Sequence, residues 1–190
     1  AGVHEALQRL PEETKADWAR RGILYVEAHA DGGGRPSYAE PIWRLKSTYW
    51  WRMTFPAQRP ITVKHRYRPS VGGTVGVTFV IDGKNNEPYF SDYVSKYCID
   101  DAFVGAVRRA ADRNPDGYAP FYENWIAYVL KTGGNWAGSI GRFKLTVDKG
   151  KPENLVSFCG QNVRKVGPTT FEMTAEDFVP QRDIDILLLQ

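Results

Sequence analysis

Cysteine is nearly missing from this chain: its 190 residues include only Cys98 and Cys159. Two thiols cannot build a zinc site, which takes about four ligands at close spacing. They also lie too far apart in sequence for a redox C-x-x-C pair. One long-range disulfide or two separate buried thiols remain open; the bridge is the expectation, and it implies an oxidising compartment. Long apolar runs are missing too, and none approaches the ~20 residues that cross a bilayer. Charge of one sign is not in large excess. Twenty-five basic against 22 acidic residues leave +3, too little by itself to imply nucleic acid or a membrane surface as partner. No HExxH, Walker or EF-hand pattern occurs, so no metal, nucleotide or other cofactor is expected. Ala1-Gly2-Val3-His4-Glu5 has neither the basic start nor the apolar stretch of a signal peptide. A chain opening on alanine is expected to be processed or partial, so that lack says little against export.

What is present describes an ordered protein: 42% apolar and 13% aromatic residues, consistent with one well-filled core and a single β-rich domain over 1–190. Acidic residues are absent between Ile42 and Arg68, and that stretch organises the reading. Trp43, Leu45, Tyr49, Trp51, Met53 and Phe55 fall on one side; Arg44, Lys46, Thr48, Trp50, Arg52 and Thr54 fall on the other. This is the period of a strand with one buried face. Pro56 and Pro60 interrupt it. A second alternation follows, with Ile61, Val63, His65 and Tyr67 opposite Thr62, Lys64, Arg66 and Arg68. The expectation is a β-hairpin, apolar on one side and basic on the other.

Two helices are expected. Pro11, Glu12 and Glu13, with Arg20, Arg21 and Gly22 behind them, place start and stop signals around 11–21. Trp18 is their anchor. Asp100 is a good N-cap for a helix over about 100–113, and Asn114-Pro115-Asp116-Gly117 ends it. Elsewhere strands dominate, at Ile23–Ala30, Val75–Ile81, Trp125–Thr132, Arg142–Asp148, Leu155–Cys159, Thr169–Thr174 and Asp183–Leu189. Tyr89–Val94 reads as non-central because Pro88 precedes it. Asp31–Ser37, with three glycines, reads as a loop. Seven or more short strands with turns between them indicate a mainly β protein, an antiparallel β-sandwich-like core decorated by two short helices.

Catalytic candidates are thin. His65 falls on the apolar face of its strand, where a histidine is more often a core residue than a base or ligand. His4 and His29 carry no motif. Ala137-Gly138-Ser139-Ile140-Gly141 approaches the nucleophile elbow, but a strand rather than a helix follows Ser139. The carboxylate pairs Asp183/Asp185 and Glu176/Asp177 lack partner residues. The basic side of the hairpin is the positive feature. Arg44, Lys46, Arg52, Lys64, Arg66 and Arg68 beside Trp50 suit an anionic glycan, a lipid headgroup, an oligonucleotide or a protein partner. The blander reading is an ordinary solvated face, or one covered by another domain.

Several blocks carry a family resemblance. They are Tyr49-Trp50-Trp51 through Phe55-Pro56-Ala57, Val63 to Gly72, Tyr97-Cys98-Ile99-Asp100 and Gly134-Asn135-Trp136-Ala137-Gly138. Gly141-Arg142-Phe143, Leu155 to Cys159 and Gly167 to Glu172 with Asp177-Phe178 and Pro180 complete them. From Pro41 onward the chain resembles the bacterial family of domain of unknown function 4424. The resemblance implies an exported protein, periplasmic or secreted, with a further β-rich half upstream. It implies no reaction or cofactor, and both cysteines match its landmarks, which strengthens the disulfide reading. The expected function is therefore a non-catalytic binding or assembly domain using the basic hairpin. The alternatives are a cell-envelope hydrolase using His65 with a carboxylate, and a structural or oligomerisation module.

Overall fold

The computed structural model describes residues 2–27, 37–43, 48 and 50–190. The protein is mainly β, with its strands in antiparallel sheets. The described residues hold four α-helices rather than two. The chain divides into two compact units, 1–63 and 64–190.

The first unit holds α1 (Gly2–Gln8), α2 (Glu12–Arg20), β1 (Leu24–Glu27) and β2 (Tyr38–Pro41). As expected, α2 opens after Pro11 with two glutamates in its first turn, and Gly22 takes the left-handed conformation just beyond its end. Leu7, Leu24 and Ala39 form the core, with Trp18 packed against them. The Gln8 side chain reads both backbone groups of Ala39, donating to its oxygen at 2.7 Å and accepting from its nitrogen at 3.1 Å. Helix α1 thus occupies hydrogen-bonding groups that β2 would otherwise leave unpaired. Lys15 is buried, and its ammonium donates to Glu12 at 2.7 Å and to the Ser37 carbonyl at 2.9 Å. His29 and residues 31–36 of the expected glycine loop lie outside the described residues.

The second unit is layered. One sheet has the order β3 (Gly72–Thr74), β6 (Glu123–Tyr128), β11 (Ile184–Leu189), β8 (Leu155–Phe158). The other has the order β7 (Ile140–Asp148), β10 (Thr170–Phe178), β9 (Arg164–Lys165). Strand β11 is apolar on both faces because each face meets a separate core. Ile184, Ile186 and Leu188 meet Val147, Phe158 and Met173, together with Phe143 and Leu145 at the margin. Leu187 and Leu189 meet Phe79, Tyr93, Tyr97, Val104 and Val107, which belong to the helical side. That side is built from α3 (Tyr89–Tyr97) and α4 (Asp101–Arg113). Asp100 caps α4 as expected, accepting from the Phe103 nitrogen at 2.7 Å. Between β4 (Val80–Ile81) and β5 (Lys84–Asn85), Asp82 and Gly83 both have positive φ, the two-residue hairpin turn that an Asp-Gly pair favours.

Three expectations fail. Among the described residues the organising hairpin is not seen: no residue from Trp50 to Val71 is in a strand, and all of them are exposed, while residues 44–47 and 49 of its first strand lie outside the described residues. A two-stranded ribbon is marginal in water unless something covers its apolar face. Here Pro56, Pro60 and Pro69 also remove ladder donors, and the basic side chains of the other face repel one another. The strand over Val75–Ile81 shrinks to β4. Val75 is 86% exposed while Phe79 is fully buried, and the Thr78 nitrogen bonds the Glu123 carboxylate instead of a neighbouring strand. Tyr89–Val94 is helical, since Pro88 stands just before the first turn and Tyr93 and Tyr97, four apart, share a buried face.

Cys98 and Cys159 are disulfide-bonded, with Cα atoms 5.0 Å apart, so the expected bridge exists. Cys98 ends α3 in the left-handed conformation and Cys159 directly follows β8. The bridge fastens the helical side to the edge of the central sheet.

Truncating Leu187 to alanine is expected to cost about 2–5 kcal/mol, since it empties space beside the central strand. Val75→Ala should cost under about 0.5 kcal/mol. Urea denaturation of both variants measures this; equal midpoints would contradict the doubly covered strand. Breaking the bridge with Cys98→Ser should cost about 4 kcal/mol for a closed loop of this length. The intact protein, denatured without reductant, should show no reactive thiol, and two free thiols would rule the bridge out.

Candidate functional site

The residues expected to bind an anion are divided between the two units. Arg44 and Lys46 lie outside the described residues. Trp50 is 80% exposed and Arg52 is exposed, both in the first unit. Lys64, Arg66 and Arg68 are exposed in the second. Trp50, Arg52, Lys64, Arg66 and Arg68 lie in no strand. His65 is exposed as well, contrary to its expected core position. The pattern of the stretch is nevertheless unlike the rest of the surface. Trp50, Trp51, Met53, Phe55, Ile61, Val63 and Tyr67 are all large apolar groups with substantial exposure, and single exposed apolar residues are ordinary where such a run is not.

A second candidate was not legible beforehand. Within the second unit, a cleft of about 460 Å³ opens between the two sheets beside the disulfide. Its walls are Phe143 of β7, Met173, Ala175 and Phe178 of β10, Ile184 of β11 and the cystine itself. Phe143 and Phe178 stack with centroids 4.6 Å apart. Gly160 keeps one wall open, because a Cβ there would stand 2.9 Å from the Met173 sulfur. Polar groups sit at the rim: Glu176 and Asp177 are exposed at the end of β10, and Asp177 has positive φ. Arg182 donates to the Ser95 and Lys96 carbonyls at 3.1 and 3.0 Å. An apolar pocket of this size with a few polar groups at its mouth is the usual form of a small binding site. No sequence signal pointed to it, because its walls come from three strands and two turns that only pairing brings together.

Asp183 organises the same region. One carboxylate oxygen accepts from the Leu130 and Lys131 nitrogens at 2.8 and 2.9 Å, tying the 3₁₀ turn Lys131–Asn135 to the start of β11. Those two backbone donors, with the Lys131 charge, hold its carboxyl below its usual value. Gly134 lies where a Cβ would come within 3.0 Å of the Pro180 oxygen, so this turn seats directly on the link between β10 and β11.

Glu123 is the other buried polar centre. It accepts from the Thr78 nitrogen at 2.6 Å, from the Trp125 indole at 3.2 Å and from the Tyr93 hydroxyl. A buried carboxylate without a cation is tolerable when several donors satisfy it. Burial, and then the Glu123 hydrogen bond, push the Tyr93 phenol up; burial pushes Tyr97 up to about 12. This cluster joins α3, β6 and the turn before β4, and reaches no cleft described here. Ser139 Oγ lies 3.5 Å from the Asp177 carboxylate, at the limit of a hydrogen bond, and both residues are exposed. Among the described residues there is no group of three or more side chains able to hold a metal, and no helix is long and apolar enough to cross a membrane.

Fold and site together define a mainly antiparallel β protein with a helical layer on one sheet, one long-range disulfide and an inter-sheet cleft. The chain belongs to the family described as domain of unknown function (DUF4424), which matches residues 2–187. The match extends the resemblance seen from Pro41 onward back through the opening helices. Neither curated proteins nor solved structures provide a match. The blocks that carry the resemblance occupy structural positions. Tyr97 to Asp100 ends α3 and caps α4; Gly134 seats against Pro180; Cys159 carries the bridge.

The Asp183 linkage has a definite sign. A carboxyl held low in the folded state stabilises it above the usual carboxylate range, and that contribution disappears as pH falls through the lowered value. Asp183→Asn should therefore melt below the wild type at pH 7, with the gap narrowing toward about pH 3. A gap that is constant across that range would show that the two backbone bonds do not set the Asp183 ionisation.

Proposed function

We propose that this chain is an exported, non-catalytic binding or assembly module that engages an acidic partner surface through the stretch from Trp50 to Arg68. One observation carries the reading: a run patterned as strand, basic on alternate positions and aromatic or aliphatic between them, stands exposed with none of its described residues in a strand. A segment of this kind gains apolar cover when it docks on another surface. The interleaved apolar residues favour a protein surface over a bare glycan or headgroup, either of which would satisfy the cations and leave Met53, Phe55 and Ile61 uncovered. The disulfide supports export to an oxidising compartment, the periplasm or the exterior.

The test is binding of the intact chain to poly-aspartate, a heparin oligosaccharide and phosphatidylglycerol vesicles, from about 0.05 to about 1 M salt. Poly-aspartate binding that weakens with salt, and drops at least about tenfold in an Arg52→Gln, Lys64→Gln, Arg66→Gln, Arg68→Gln variant, is the expected outcome. Binding to none of the three probes, or binding indifferent to the four substitutions, removes the proposal. Binding to vesicles or heparin alone replaces the protein partner with that class.

A further inference from the structure

We infer that the inter-sheet cleft beside the disulfide is the receptor for Trp50 of a second copy of this chain, with Arg52 of that copy set against Glu176 and Asp177 at the rim. The inference rests on the preceding reading of the exposed stretch and names its partner. Three features of the molecule lead to it.

Shape and chemistry come first. The cleft is walled by the Phe143–Phe178 stack, Met173 and the cystine, groups that pack well against an aromatic ring. Its volume of about 460 Å³ is enough for an indole. Trp50 is 80% exposed, the highest value of any tryptophan among the described residues. Aromatic side chains that stand in water at this level are typical anchors for a pocket on a partner.

Charge is the second. From Ile42 to Val71 the chain carries seven lysines and arginines and no carboxylate, which leaves 18 basic against 22 acidic residues elsewhere. The stretch is thus +7 and the remainder −4. A second copy offers the stretch an acidic body, and opposite potentials steer such encounters.

Register is the third. In extended chain, residues two apart point to the same side about 7 Å from each other. Laid down as a strand on a partner, Trp50 and Arg52 would present an indole and a guanidinium together. The cleft presents an aromatic wall with Glu176 and Asp177 at its mouth. Arg182 is engaged by the Ser95 and Lys96 carbonyls, while Arg142 stands opposite Glu176 in the β7–β10 ladder, so an incoming guanidinium competes with Arg142 for Glu176 and meets Asp177 beside it. Asp183 does not compete, since its oxygen is held by two backbone donors.

The test uses exposed residues, so that folding is not at stake. The intact chain at low salt should self-associate on size-exclusion chromatography with light scattering, and Trp50→Ala should be monomeric. Arg52→Glu alone and Glu176→Lys alone should each weaken association at least tenfold. An equimolar mixture of those two variants should recover a mixed dimer, because the glutamate of one stretch then meets the lysine of the other rim. A wild-type monomer at all accessible concentrations overturns the inference, as does Trp50→Ala association equal to wild type. Failure of the charge-swapped mixture to recover overturns it too. Poly-aspartate binding that persists in a wild-type monomer removes the cleft as receptor and leaves the function proposed above standing; loss of both removes both.

Discussion

Everything in the larger unit depends on one strand being covered twice. Ile184–Leu189 runs through the middle of the central sheet, paired on both edges with Glu123–Tyr128 and Leu155–Phe158. Its even-numbered residues complete the core between the sheets, and its odd-numbered leucines complete the core beneath the helices. Neither core closes without it. A strand with apolar groups on both faces has no solvent side to turn outward, which explains why the helices and the second sheet must lie on opposite sides of it.

The polar interactions hold the ends of that arrangement. Asp183 fixes the entry to the central strand by bonding the turn after β6. Glu123 fixes the neighbouring strand to the helical layer through Tyr93 and Thr78. The cystine fastens the end of α3 to the end of β8. Lys149 closes the turn between β7 and β8 by donating to the Pro152 and Asn154 carbonyls. The cleft opens between these anchored points, where the two sheets diverge beside the cystine and the link from β10 to β11.

The stretch from Trp50 to Val71 has the opposite character. It has the alternation of a strand, and none of its residues lies in one. Periodicity records which side chains are to share a face, and pairing needs a partner edge to complete it.

Much of the scaffold was legible from residues alone because its signals are local. Asp100 before a helical stripe, Gly22 after one and Phe143, Leu145 and Val147 at every second position each act within a few residues. Two cysteines with no other use pointed to one bridge. The cleft was not legible, since it is made by Phe143, Met173, Phe178 and the cystine, which meet only after β7, β10 and the disulfide are in register. The burial of Glu123 was equally hidden, as nothing in Glu-Asn-Trp announces four donors converging from Thr78, Tyr93 and Trp125. Tertiary structure also decided against the hairpin and made a helix of Tyr89–Tyr97. Local pattern determines which residues want one face, whereas the fold determines whether any surface is there to cover it, and that depends on contacts between residues far apart in the chain.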